Sequence, residues 1–219
     1  MPFSELHRQV ATIALKAAAR YGFVLGGGNA LILHGLVERP TNDVDLVTDR
    51  DEGVKAAADA VEEALRDAGF SVERQDKDGG GLADVFYGWD LAMKEWVVTS
   101  SVGQQMILQI AQFDRNRSPV IMDVGPVLSL EDCLAHKVGA FASRSEERDA
   151  IDVAAALGRY SVNELIALAR QMDPGLEESD FADAGRRLDQ MPDRLFTRYG
   201  LSSQDVARMR ERFADWPRS

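Results

Sequence analysis

No stretch of the chain reaches the about eighteen consecutive apolar residues that a membrane-spanning helix needs. Residues 1–21 are broken by Glu5, His7, Arg8 and Lys16, where a secretion signal would carry an uninterrupted apolar core. The expectation is therefore a cytoplasmic protein with no membrane partner. Cys133 is the only cysteine, which excludes an intramolecular disulfide and argues against a cysteine-based zinc centre. It is expected as a small buried residue on a helix. Positive charge is also scarce: 25 Lys and Arg stand against 36 Asp and Glu, a net charge of -11. Broad, nonspecific nucleic-acid binding needs clustered cations to neutralise phosphates, so that function class is disfavoured. The arginines are uneven, however, and Arg144, Arg148, Arg186, Arg187, Arg208 and Arg210 all fall in the second half. A polyanion is expected to meet that half. No internal repeat or low-complexity segment is present.

The 219 residues, 45% hydrophobic and 28% charged, have ordinary globular composition and suit one large domain or two small ones. Leu6, Val10, Ile13 and Ala17 recur at helical spacing behind Ser4, a candidate N-cap. Phe23–Leu25 reads as a short buried strand, Gly26-Gly27-Gly28 as a turn, and Ala30–His34 as a short helix ended by Gly35. A strand around Val44–Val47, a helix over Gly53–Ala68 and a strand over Phe70–Arg74 follow. Gln75–Gly81 is a polar, glycine-rich turn, and residues 82–101 show no readable period. Gln105–Phe113 and Val120–Val124 read as two strands of a hairpin. Beyond Pro126 the pattern turns helical, starting with the stripe Leu130, Leu134, Val138 and Phe141. The fold class expected is α/β, a mixed sheet with flanking helices followed by a mainly helical half, with domains over 1–127 and 128–219.

Asp43-Val44-Asp45 carries the chemistry. Side chains on a strand alternate with period two, so both carboxylates project from one face and can share a divalent ion. Magnesium takes a few carboxylates together with water and substrate phosphate oxygens, and an open strand-edge pair offers half of such a site. An Asp-x-Asp alone is more often a solvated surface pair. The preceding turn adds specificity: Gly27 and Gly28 follow a buried strand, where bare backbone N–H groups can hold phosphate oxygens. Asp123, flanked by Ile121, Met122 and Val124, is a candidate third carboxylate on a strand beside Asp45; the bland alternative is a strand-end acid facing solvent.

The run Val24-Leu25-Gly26-Gly27-Gly28-Asn29-Ala30-Leu31, then Leu33-His34-Gly35, then Arg39, Thr41, Asn42, Asp43, Val44, Asp45 and Leu46 resembles the opening motif of the AbiEii-type nucleotidyltransferase toxin family, within the DNA polymerase beta-like superfamily. The later run Leu130, Asp132, Leu134, Lys137, Ala140, Arg144, Arg148, Asp149 and Asp152 is similar to that family's second signature, a lysine-bearing helix followed by Arg-Asp-x-x-Asp. The resemblance covers roughly residues 23–157. Asn29 stands where the family more usually has a hydroxyl residue.

The resemblance implies a nucleotidyltransferase-like fold in which Asp43, Asp45 and Asp123 hold Mg and act in catalysis with Lys137. The turn at Gly27, Gly28 and Asn29 would receive the NTP triphosphate. Arg144 and Arg148 lie seven and eleven residues beyond Lys137, so on one continuous helix each falls within about 20 degrees of the lysine. Such a row suits a triphosphate, the alternative being solvated surface cations. Asp149 or Asp152 would orient the lysine or pair with Arg148. Some relatives are toxins that add nucleotides to the 3' end of tRNA and pair with an antitoxin, which makes tRNA and a cognate antitoxin the expected partners. Two other functions fit the residues: a small-molecule nucleotidyltransferase of the aminoglycoside-modifying kind, whose polycationic substrate suits an acidic protein, and a non-catalytic binding or antitoxin module. The presence of both Asp43 and Asp45 speaks against the last.

Overall fold

The computed structural model describes residues 3–75 and 93–219. Its chain forms two compact units, the first from residues 1–33 with 40–129, the second from residues 34–39 with 130–219. In chain order the first unit holds α1 (Glu5–Ala17), a 3-10 turn (Ala19–Tyr21), β1 (Val24–Leu25), α2 (Gly27–Leu33), β2 (Asp43–Thr48), α3 (Gly53–Asp67), β3 (Ser71–Arg74), β4 (Met93–Thr99), β5 (Gln105–Gln112), β6 (Val120–Met122) and β7 (Gly125–Val127). The glycine-rich turn expected over Gln75–Gly81 lies, apart from Gln75, outside the described residues.

The seven described strands form one mixed sheet in the order β3-β4-β5-β2-β1-β7-β6. Strand β2 is central, parallel to β5 and antiparallel to β1. One face is buried: Val44 and Leu46 of β2, Leu108 and Ile110 of β5, Trp96 and Val98 of β4, and Val72 of β3. The apolar stripes of α1 (Val10, Ala14, Leu15) and α3 (Val54, Ala57, Val61, Leu65) pack on the sheet and on each other. Ser4 caps α1 as expected, its hydroxyl accepting from the His7 amide at 3.2 Å. Trp96 is fully buried and its indole N–H donates to Glu62 of α3 at 2.9 Å, which settles its one polar atom. Glu62 also receives Arg74, so α3 is fastened to β3 and β4 by polar contacts as well as by packing.

The hairpin expected between Gln105–Phe113 and Val120–Val124 does not form. Strand β5 pairs instead with β2 and β4, while β6 pairs with β7 across a two-residue turn at the other end of the sheet. The apolar β5 is paired on both edges, by β4 through the short turn at residues 100–104 and by the distant β2, so the local hairpin forms with the strand before it and not with the one after.

The second unit is helical: α4 (Leu130–Ser143), α5 (Glu147–Ala156), α6 (Val162–Met172), α7 (Glu178–Gln190), α8 (Arg194–Thr197) and α9 (Ser203–Arg212). Cys133 is buried on α4, and burial raises its thiol pKa far above the ordinary value, which disfavours the reactive thiolate. Phe141, Phe213 and Trp216 meet with ring centroids 5.3–5.4 Å apart, and Trp216 donates to the carbonyl of Phe181 at 2.9 Å. Capping boxes at Ser161 with Glu164 and at Ser202 with Asp205 set the starts of α6 and α9.

Candidate active site

Asp43 and Asp45 occupy the first and third positions of β2, on the face opposite the buried Val44 and Leu46, and both are half-buried. Asp43 is held at two points. The Thr41 hydroxyl donates to its Oδ1 at 2.8 Å, and the Asn29 amide donates to its backbone carbonyl at 2.7 Å. Asn29 is fully buried, so in this structure its side chain ties the start of α2 to the start of β2. Its Oδ1 is buried and accepts no hydrogen bond among the described residues.

Gly27 has a positive φ of 60°, and a Cβ placed there would collide with the carboxylate of Asp45. The Gly26 amide donates to the Asp45 carbonyl at 2.8 Å. The turn and the dyad are therefore one object: glycine is required at position 27 both for its left-handed backbone and because the Asp45 side chain occupies the space beside it. Among the described residues no group of three or more His, Cys, Asp or Glu is arranged to hold a metal. Two carboxylates on one strand face, beside a turn whose backbone is bare, fit an ion that draws its remaining ligands from water and phosphate, as magnesium does.

His7 lies beside this site, and no pattern in the sequence pointed to it. Burial lowers the pKa of its imidazole, while the Asp43 carboxylate and the Thr41 backbone pull it upward. Only the packing of α1 against β2 brings it there, a contact without a local signature.

Asp123 is placed elsewhere. It sits in the turn between β6 and β7, is 69% exposed in its side chain, and pairs with Arg8. Strands β1 and β7 intervene between β6 and β2, so the expected third carboxylate on a strand neighbouring Asp45 is corrected. The neighbour of Asp45 on β5 is Gln109.

In the helical unit, Lys137 is directed at two carboxylates that are themselves fully buried, with Nζ 3.0 Å from Asp152 and 3.4 Å from Asp149. Arg39 grips Asp152 through two parallel contacts of 2.7 and 2.6 Å, and Arg144 grips Asp149 at 2.8 and 3.2 Å. Burial alone would push the Asp152 carboxyl upward; Lys137 and Arg39 overcome this and hold it below the ordinary carboxylate range. Both acids of the Arg-Asp-x-x-Asp segment thus orient the lysine.

The continuous row of Lys137, Arg144 and Arg148 does not exist. Helix α4 ends at Ser143, Ser145 takes a left-handed φ of 51°, and α5 begins at Glu147, so Arg144 lies in the connection and Arg148 on the next helix. Arg148 pairs with Glu146 at 2.8 Å. Other arginines of this half are engaged as well: Arg187 caps α4 through the carbonyls of Ala142 and Ser143, Arg212 bonds the Ala154 carbonyl, and Arg186 and Arg208 pair with Asp183 and Asp205. Many of the arginines that suggested a polyanion surface close helix ends and neutralise nearby acids.

Three solved structures share the fold. MenT4, a nucleotidyltransferase toxin from Mycobacterium tuberculosis H37Rv, superposes with a TM-score of 0.60 at 19% identity, covering 94% of this chain and 80% of its own. JHP933 from Helicobacter pylori gives 0.57 at 15% identity, covering 95% and 90%. A putative nucleotidyltransferase from H. pylori gives 0.56 at 15% identity, covering 95% and 93%. No curated protein sequence matches the chain. The family described as nucleotidyl transferase AbiEii toxin, Type IV TA system, matches residues 11–216, nearly the whole chain, and this protein belongs to it.

Proposed function

We propose that this nucleotidyltransferase toxin moves a nucleotide from an NTP to the 3' end of an RNA, tRNA in the first instance, with Asp43 and Asp45 holding Mg. The observation that carries the reading is the abutment of the Asp45 carboxylate on Gly27, which sets a two-carboxylate face beside the glycine that opens α2. The ion, when bound, supplies charge neutralisation at the transferring phosphate. The chain's own residues do the rest: the turn at Gly27 and Gly28 receives phosphate oxygens, Thr41 fixes the rotamer of Asp43, and Asn29 holds the strand start. Transfer of this kind depends mainly on positioning and electrostatics, so a pre-set carboxylate pair is the principal requirement. From the helical unit, Lys137 is assigned to the triphosphate by its place in the family signature, with Asp149 and Asp152 fixing its ammonium; Arg144 and Arg148 are lesser candidates for the same task. A cognate antitoxin is the partner that membership of the family implies.

Incubation with radiolabelled NTPs, magnesium and total RNA tests the proposal. A labelled band of tRNA size, absent with Asp45→Ala, is the expected result. Labelling of an aminoglycoside and of no RNA, across all four nucleotides, would replace the acceptor and keep the chemistry.

A further inference from the structure

The face of the sheet that bears Asp43 and Asp45 carries more than the dyad. Strand β5 sets Gln109 opposite Asp45, and β4, on the far side of β5, sets Glu95 opposite Gln109. Residues paired across strands project from the same face, so Asp45, Gln109 and Glu95 form one row, roughly 10 Å from end to end at strand spacings of about 4.8 Å. The Gln109 side-chain amide donates to the Glu95 carboxylate, and both residues are half-buried. On the other side of β2 lie β1 and the Gly26–Gly28 turn.

This layout gives the reaction a direction. In phosphoryl-type transfer the attacking and leaving oxygens stand roughly in line on opposite sides of the phosphorus. With the α-phosphorus over the dyad and the pyrophosphate leaving toward the turn after β1, the attacking hydroxyl must approach over β5. The acceptor 3' oxygen then bonds to the α-phosphorus, the bond from that phosphorus to the bridging oxygen breaks, pyrophosphate leaves with the electron pair, and the hydroxyl proton passes to water.

We infer that Glu95 and Gln109 form a specificity pair for the 2'-hydroxyl of the acceptor's terminal ribose, which restricts transfer to RNA ends. The inference rests on the reading of Asp43 and Asp45 as the metal-holding site. A 3'-hydroxyl poised over Asp45 from the β5 side has its vicinal hydroxyl one carbon away, above the same row. A carboxylate accepts from ribose hydroxyls, as acidic residues do in dinucleotide sites. Glutamate is one methylene longer than the aspartates of the dyad. Gln109, with one N–H engaged by Glu95, retains a second N–H and a carbonyl oxygen. A 2'-deoxy end would leave the pair without its substrate partner, and sites built around a substrate hydroxyl discriminate against the analogue that lacks it.

The test uses the full chain with magnesium, radiolabelled NTP and two acceptors identical except for a 2'-hydroxyl or 2'-deoxy 3' terminus. The wild type should prefer the ribo end by at least about tenfold in kcat/KM. Glu95→Gln and Gln109→Leu should lower the rate on the ribo end and leave the deoxy rate within about twofold. Absence of preference in the wild type, or equal loss on both acceptors, overturns the inference. A parallel arm compares NTP with dNTP on the ribo acceptor; if the variants lose discrimination there and keep it for the acceptor, the pair serves the donor nucleotide and the acceptor assignment falls. Fluorescence anisotropy of the two labelled acceptors supplies a readout independent of turnover, in which the ribo end should bind tighter to the wild type and equally with the deoxy end to Glu95→Gln. Equal binding of both ends by the wild type overturns the inference even if no transfer occurs, whereas tighter ribo binding without any transfer faults only the reading of the dyad.

Discussion

The two units use carboxylates in opposite ways. In the helical unit Asp149 and Asp152 are fully buried, and Lys137, Arg39 and Arg144 close over them. In the sheet unit Asp43 and Asp45 remain half-buried on an open strand face, oriented by Thr41 and by the shape of the Gly27 turn. A buried acid of the first kind is answered from within the chain, because an uncompensated charge in the interior is too costly to keep. An acid of the second kind can be reached from outside. The same side chain is structural in one setting and available for chemistry in the other, and burial decides which.

Substitution should separate the two roles. The largest effect expected is on activity: Asp45→Ala should lower nucleotide transfer by about a thousandfold or more, the equivalent of several kcal/mol, with an unchanged circular dichroism spectrum. Transfer at the wild-type rate in that folded variant would dissolve the contrast. Asp152→Ala should instead cost about 3–5 kcal/mol of stability in urea unfolding, because it leaves Arg39 and Lys137 without their shared carboxylate. The pH dependence has a definite sign. The pKa of Asp152 is depressed by folding, so its contribution is complete above the unfolded aspartate value of about 4 and is lost as pH falls through the lower folded value. The stability gap between wild type and variant should therefore stay constant from neutral pH down to about 5 and shrink only in stronger acid. A gap that closed near neutrality would show that the network is not held by this carboxylate.

Gly27→Ala joins both sides of the comparison. A left-handed alanine costs about 1–2 kcal/mol, and its Cβ must displace Asp45, so stability should fall modestly while transfer falls by more than about tenfold. Equal activity in Gly27→Ala would mean that Asp45 does not need its observed position. Asp123→Asn should do least: its pair with Arg8 is exposed, worth at most about 1 kcal/mol, and transfer should be unchanged. Strong loss of transfer in that variant would restore the third-carboxylate role that the sheet order removes.

The parts of the fold that were legible in the sequence are the local ones. The segment from Val24 to Leu46 announces itself because each feature needs only its neighbours: a buried strand, a short helix and acids at period two, although the helix begins at Gly27, inside the expected glycine turn, and not at Ala30. The helical character from Leu130 onward follows from apolar spacing, with the stripe Leu130, Leu134, Val138 and Phe141 lying on the observed α4. What escaped depends on distant partners. Strand β5 reads as the partner of Val120–Val124, the next strand that the pattern shows, whereas it pairs with the distant β2 and with β4, which lies just before it in the stretch without a readable period. Strand β7 was missed because Pro126 reads as a break. The cationic row on one helix failed at Ser145, whose left-handed backbone has no glycine to signal it. The row through Gln109 and Glu95 exists only once three strands are in register, and Glu95 lay in the stretch that showed no period.

The helical unit has one further property with a consequence for synthesis. Its segment 34–39 is translated well before the rest of it, and Arg39 meets Asp152 across 113 residues of chain. On a ribosome, that arginine emerges long before its carboxylate exists, so the unit cannot complete itself piecemeal as the chain grows. A fragment beginning at Leu130 would lack a cation that its buried Asp152 requires. The helices and the local pairs of Lys137 and Arg144 can form as they appear, whereas the Arg39–Asp152 contact can close only once residue 152 has been made.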